Sequence, residues 1–144
     1  MTNIKTVLAK SENRVISVSP ETTVLDSLKL MAENEVGAVV VMDRESLVGI
    51  ATERDYARKV VLDGKLSADT TIREIMTANP VTVGAGDSMK TCMETMSHNH
   101  IRHLPVVDHG KLIGVLSIRD MLEAVIEQQE FLIEQMERYI QGKM

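Results

Sequence analysis

Residues 49–55 read Gly49-Ile50-Ala51-Thr52-Glu53-Arg54-Asp55, and residues 114–120 read Gly114-Val115-Leu116-Ser117-Ile118-Arg119-Asp120. Each is a strand-like run that passes through glycine into Ser/Thr-x-x-Asp. That is the capping-box pattern, in which two side chains satisfy backbone N–H groups left free at a helix start. One such pattern marks a helix; its return 65 positions later (49 to 114) marks a duplicated unit. Sliding by that offset without a gap lays residues 16–55 on residues 81–120 with apolar paired to apolar almost throughout. The identities include Val18/Val83, Met31/Met96, Asn34/Asn99, Val41/Val106, Asp43/Asp108, Leu47/Leu112, Arg54/Arg119 and Asp55/Asp120.

Working outward, each copy begins with a β-rich strand, VISV or PVTV, followed by a helix whose apolar residues fall three and four apart, as Val24, Leu25, Leu28 and Met31 do. A β-branched run, a polar turn and a second strand come next, and the capping box opens a second helix. The expected fold is therefore α/β (α+β), a tandem of β-α-β-β-α repeats. A unit of about 60 residues buries too little surface to be secure alone. The copies should pack together with pseudo-twofold symmetry, so that equivalent loops meet across a shared cleft holding two related sites. The expected divisions are 1–66 for the first repeat, 67–127 for the second and 128–144 for a C-terminal helical extension.

Composition narrows the function. The formal net charge is −5, the 16 Lys and Arg are dispersed, and two tyrosines and one phenylalanine are the only aromatic residues, so neither a basic patch nor a base-stacking platform argues for nucleic acid. No apolar run is long enough to span a bilayer and the first residues lack a signal-peptide core, which makes a cytoplasmic protein the expectation. Cys92 lies in the helical spacing of Met89, Met93 and Met96 and reads as packed core.

The repeated motif suits a ligand. A strand leading through Gly49 or Gly114 into a helix N-terminus would let backbone approach a bound molecule, with free N–H groups and the helix dipole favouring negative charge. An Asp on that first turn can accept two hydrogen bonds from a ribose diol. The pattern alone leaves simple capping open beside this reading.

Taken together, the two Gly-x-x-Thr/Ser-x-x-Asp motifs, the IREIMT segment before a proline and strand, and Ile101-Arg102-His103-Leu104-Pro105-Val106 resemble the cystathionine-β-synthase (CBS) domain pair, or Bateman module. The likeness runs from about Val7 to Val125, and GIATERDYARKVVLDGK with the Glu-rich tail is similar to small stand-alone CBS-pair proteins. It implies an adenine nucleotide, AMP, ADP, ATP or NAD, in the cleft between the repeats, and S-adenosylmethionine is a further ligand of the family. By the same resemblance Asp55 and Asp120 would hold ribose, and Thr52 and Ser117 would contact ribose or phosphate. Val15, Ile16, Val36, Gly37, Pro80, Val81 and Ile101 would frame adenine.

The copies differ before their central strand, where Arg102-His103 stands against Gly37-Ala38. In similar pairs this position reaches the phosphates of the nucleotide held by the sister repeat. The Asp55 site is thus expected to hold the phosphate-rich ligand, with Arg102 and His103 on its phosphates. The Asp120 site would draw on Arg54, Arg58, Lys59 or Arg119.

Other signals carry less. Gly84-Ala85-Gly86-Asp87-Ser88-Met89 lacks the third glycine of a dinucleotide fingerprint, and no Walker A sequence occurs. His98, His100, His103 and His109 crowd one stretch without the paired spacing of a zinc motif, so no metal is expected. No activated nucleophile or carboxylate pair surrounds the nucleotide motif, and the reading is a non-enzyme. Residues 118–140 read as one long helix with an apolar stripe that must be buried on its own module, a second subunit or a client. The resulting expectation is a homodimeric sensor that transmits nucleotide occupancy to a partner protein, or a scaffold whose nucleotide is structural.

Overall fold

The computed structural model describes residues 3–10 and 15–142. It contains two small mixed sheets built alike. In the first, β1 (Ser17–Val18) runs parallel to β2 (Ala38–Asp43), which forms a hairpin with β3 (Ser46–Thr52), and β4 (Thr77–Ala78) adds an antiparallel edge. In the second, β5 (Val83–Gly84) is parallel to β6 (His103–Asp108), which pairs with β7 (Lys111–Ser117). The registers match at the repeat offset: Val41 faces Gly49 as Val106 faces Gly114, and each hairpin carries an irregularity one step further on. Only Ser17–Val18 of VISV and Val83 of PVTV enter the ladder, so Val15–Ile16 and Pro80–Val81 precede it, although Val40 N–H still reaches the Ile16 carbonyl at 3.0 Å.

Between the first and second strands of each copy lies an eleven-residue helix, α2 (Val24–Asn34) or α4 (Met89–Asn99). Thr23 and Ser88 cap their N-termini by accepting from the N–H groups of Asp26 and Thr91. Both helices stop at a left-handed residue, Glu35 or His100, each with φ of 53°. After the capping boxes the copies diverge. In the first, α3 (Glu53–Tyr56) continues as one π turn over Ala57–Val61; in the second, α5 runs unbroken from Ile118 to Ile140.

Two core clusters result, and neither is made by one repeat alone. Val18, Val24, Met31, Val39, Val41, Ala51 and Val60 of the first copy close over Ile72 and Ile75. Val83, Cys92, Met96, Leu104, Val106, Leu116 and Met121 of the second close over Ile4 and Val7 of an N-terminal helix, α1 (Ile4–Lys10). Val7 and Ile72 are themselves equivalent at the 65-residue offset. The segment that leads into each repeat has been exchanged onto the other. Backbone hydrogen bonds seat the second leader, from Val24 N–H to the Thr70 carbonyl at 2.8 Å and from Ile72 N–H to the Thr22 carbonyl at 2.7 Å. Packing therefore crosses the 66/67 boundary in both directions. Cys92 is fully buried, and burial pushes its thiol up to about 11, as befits core.

Residues 126–140 of α5 are all exposed. Burial on this helix is confined to Asp120, Met121 and Ala124, so its distal half does not fold back on its own module. Among the described residues no helix is long and apolar enough to cross a membrane.

Candidate functional site

Both capping boxes form. Thr52 Oγ1 accepts from Asp55 N–H at 3.3 Å while Thr52 N–H donates to Asp55 Oδ2 at 2.9 Å; in the second copy Asp120 N–H donates to Ser117 Oγ at 3.1 Å and Ser117 N–H to Asp120 Oδ2 at 3.0 Å. Asp55 Oδ1 meets Lys59 Nζ at 3.3 Å, and that ammonium also donates to the Ile75 carbonyl at 2.9 Å. Each helix start is tied to the residue just before the first strand of its hairpin: Glu53 N–H donates to the Gly37 carbonyl and Ile118 N–H to the Arg102 carbonyl. These bonds bring the Ser/Thr-x-x-Asp motif of each copy beside the Gly37 or Arg102 segment.

Two cavities open there. The smaller, about 310 Å³, is lined by Thr52, Arg54 and Asp55 from the first copy and by Pro80, Val81, Ile101, Arg102 and His103 from the second. The larger, about 1110 Å³, is lined by Ser117, Arg119 and Asp120 from the second copy and by Ile16, Val36 and Gly37 from the first. The strand-start residues thus face the carboxylate of the other repeat. Gly37, Arg102 and His103 line both cavities, so the cationic pair belongs to a shared wall and not to the Asp55 cavity alone. Val15 lines neither, and neither do Arg58 and Lys59.

The reading of Gly49 and Gly114 as points of ligand approach is corrected. Both are buried and neither lines either of these two cavities. A Cβ on Gly49 would collide with the Met76 side chain, and one on Gly114 would lie 2.8 Å from Leu8 Cδ2. The glycines make room for the exchanged leaders.

His103 stands at the junction. Its ring lies 3.6 Å from where a Gly37 Cβ would be, so the small residue in the first copy admits the large one in the second. Burial holds its pKa below the usual 6.5; the carboxylates of Asp120 and Glu53 oppose that shift and Arg102 adds to it. Near neutral pH His103 is an uncharged donor or acceptor, and the positive charge on this wall is that of Arg102. Arg54 spends one Nη1 donor on the His100 carbonyl at 3.3 Å, bridging the copies. Arg119 pairs with Glu123 at 3.2 Å on the rim of the larger cavity.

Some lining residues escaped the sequence reading. Glu35 and His100 occupy the rims of the larger and smaller cavities, and their equivalence at the repeat offset was the available signal. Lys10, also on the larger cavity, arrives only because α1 is exchanged onto the second copy, which nothing in its local sequence announces. Among the described residues no group of three or more His, Cys, Asp or Glu side chains is placed to hold a metal ion.

Comparison with known proteins gives a consistent picture. The CBS domain profile matches residues 5–62 and again 72–127. The mitochondrial CBS domain-containing protein CBSX3 of Arabidopsis thaliana is 38% identical over 83% of this chain and 61% of its own length. The CBS domain-containing protein YhcV of Bacillus subtilis is 31% identical over 75% of this chain and 76% of its own. The chain spans about three fifths of the first of these relatives and only 25% of a longer plant relative. Among solved structures, a protein with CBS domains from Burkholderia ambifaria superposes with a TM-score of 0.84 at 44% identity, covering 89% of this chain and 96% of that one. A CBS domain protein from Pyrobaculum aerophilum complexed with AMP gives 0.74 at 29% identity, covering 83% and 89%.

Proposed function

The chain belongs to the CBS domain family and carries two copies of the domain, and from that premise we propose that it is a regulatory module that binds adenine nucleotides between its repeats without turning them over. The observation that carries this reading is the smaller cavity, where Thr52 and Asp55 of one copy face the apolar Pro80, Val81 and Ile101 of the other with Arg102 at the shared wall. Its volume falls at the low end of the range for small-molecule sites. The AMP complex of the Pyrobaculum aerophilum relative supports the ligand class.

In this reading adenine lies against Val81 and Ile101, and the ribose diol donates to Asp55. The cap occupies part of Oδ2, so the diol uses the remaining acceptor positions and competes with Lys59 at Oδ1. The phosphates reach Arg102, whose guanidinium forms charge-assisted hydrogen bonds, and neutral His103 donates one more. Arg54 stands on the same cavity. A second nucleotide occupies the Asp120 cavity, framed by Ile16, Val36 and Gly37, with Ser117 on ribose and Arg119 and Lys10 toward its phosphates. The module works in the cytoplasm as a homodimer and passes occupancy to a client protein through a change in the angle between repeats. Such transmission requires different affinity for two arrangements.

Titration calorimetry with AMP, ADP, ATP and NAD tests the assignment. Asp55→Ala and Arg102→Ala should each weaken the tightest ligand about tenfold to a hundredfold, the span of one or two charge-assisted hydrogen bonds. Undiminished affinity in both variants would remove the ribose and phosphate roles. Solution scattering with and without the ligand separates a sensor, whose profile changes, from a scaffold, whose profile does not.

A further inference from the structure

The distal half of α5 has the pattern of a two-stranded coiled coil, and we propose that it pairs in parallel with the same helix of a second copy of this chain. Placing Ile126 at heptad position a puts Ile126, Ile133 and Ile140 at the three a positions beyond residue 122 and Leu122, Gln129 and Met136 at the d positions. β-branched residues at a with Leu at d favour two parallel strands; here Ile fills the three a positions of the seam, and Leu122 and Met136 flank the one polar d residue, Gln129. All of these residues lie in one uninterrupted helix, and the five apolar ones are 51 to 80% exposed. From Leu122 to Ile140 the seam is about 27 Å long.

Two further observations select the occupant and its direction. The buried side chains of α5, Asp120, Met121 and Ala124, fall at b, c and f, on the helix side away from the a/d seam, while Ile118, half-buried against the same core, sits at g one turn ahead of the seam. A partner helix on the seam from Leu122 onward therefore lies on the opposite side of α5 from its buried face, and the two modules lie on the outer flanks. The flanking positions decide the direction. Position e is Glu at 123, 130 and 137, whereas g is Val125, Leu132 and Tyr139. An antiparallel pair would set the three glutamates of one helix along the three of the other, a like-charge row. A parallel pair sets each e glutamate beside an apolar g residue, whose surface its methylenes cover while the carboxylate reaches water.

The test uses the full chain. Light scattering should find the parent in an even-numbered assembly of 16.0 kDa chains, and Ile133→Lys with Ile140→Lys at half the parent's mass. Because both substituted residues are exposed and outside either core cluster, the melting of the module should persist in the double variant, and Ile133→Val should keep the parent's mass. Met136→Cys reads direction. In a parallel pair the new thiols face each other and oxidise to a linked dimer, whereas antiparallel pairing places residue 136 opposite residue 126, about 15 Å from its mate, beyond disulfide reach. The parent, whose Cys92 is buried, is the control. A monomeric parent, an unchanged mass in the double variant, or no crosslink through Cys at 136 overturns the proposal.

Discussion

Gly49 and Gly114 show how a residue can be legible while its reason is not. Their recurrence marks the repeat, yet what each one faces is a side chain contributed from elsewhere in the chain, Met76 or Leu8. Gly114→Ala should cost about 1–3 kcal/mol, the range for overpacking a filled site, and leave nucleotide affinity unchanged; urea denaturation and calorimetry on one preparation check both. Gly49→Ala should behave alike, since the Thr77 carbonyl oxygen limits escape at 3.1 Å. His103 gives a pH signature. Its folded pKa lies below the usual 6.5, so the unfolded chain takes up a proton first as pH falls, and stability drops from about pH 6.5 downward until the folded-state value is passed. Above that window the contribution is flat. Urea midpoints between pH 5 and 8 should fall more steeply on the acid side for the parent than for His103→Gln. The charges that set this window are Asp120 on α5, Glu53 on α3 and the neighbouring Arg102.

Elements with strong periodicity were readable, and those held only by tertiary contact were not. The residue range 118–140 came directly from the sequence, as did both hairpins, because their patterns persist over whole turns and strands. The seven-residue α1 has two buried positions, too few to stand out, and is stabilised by docking against α5 and β7. It is nonetheless structural: Ile4 is fully buried, and Ile4→Ala should destabilise the protein by about 2–5 kcal/mol, as large-to-small changes in cores do. A thermal melt would detect this; an unchanged melting temperature would show that α1 is not part of the second core. The two-residue β1 and β5 were overestimated because β-branched sequence continues past the point where the neighbouring strand offers partners.

At the scale of the molecule, the sequence identified the motif residues that line the two cavities, though not Glu35, His100 or Lys10, and it did not say how the lining is apportioned. A repeat predicts equivalent sites; it does not say that Arg102 and His103, present once, border both. The shared wall has a measurable consequence for the proposed function. A phosphate drawn to Arg102 from one cavity uses donors that the other would need, so the second nucleotide should bind about tenfold more weakly than the first, the scale of one lost hydrogen bond to a charged group. Arg102→Ala should bring the two affinities together as the tighter one weakens, and two-site calorimetry distinguishes this from independent sites.

The exchange of leaders bears on ancestry. The stretch of gene that was copied, a leader followed by its β-α-β-β-α unit, does not coincide with the stretch of chain that closes a core, because Val7 and Ile72 each serve the sister repeat. For a single-copy forebear with the same geometry, two polypeptides trading their leaders would satisfy both cores. Duplication would convert such an intermolecular trade into an intramolecular one, and a covalent join makes the pairing independent of concentration.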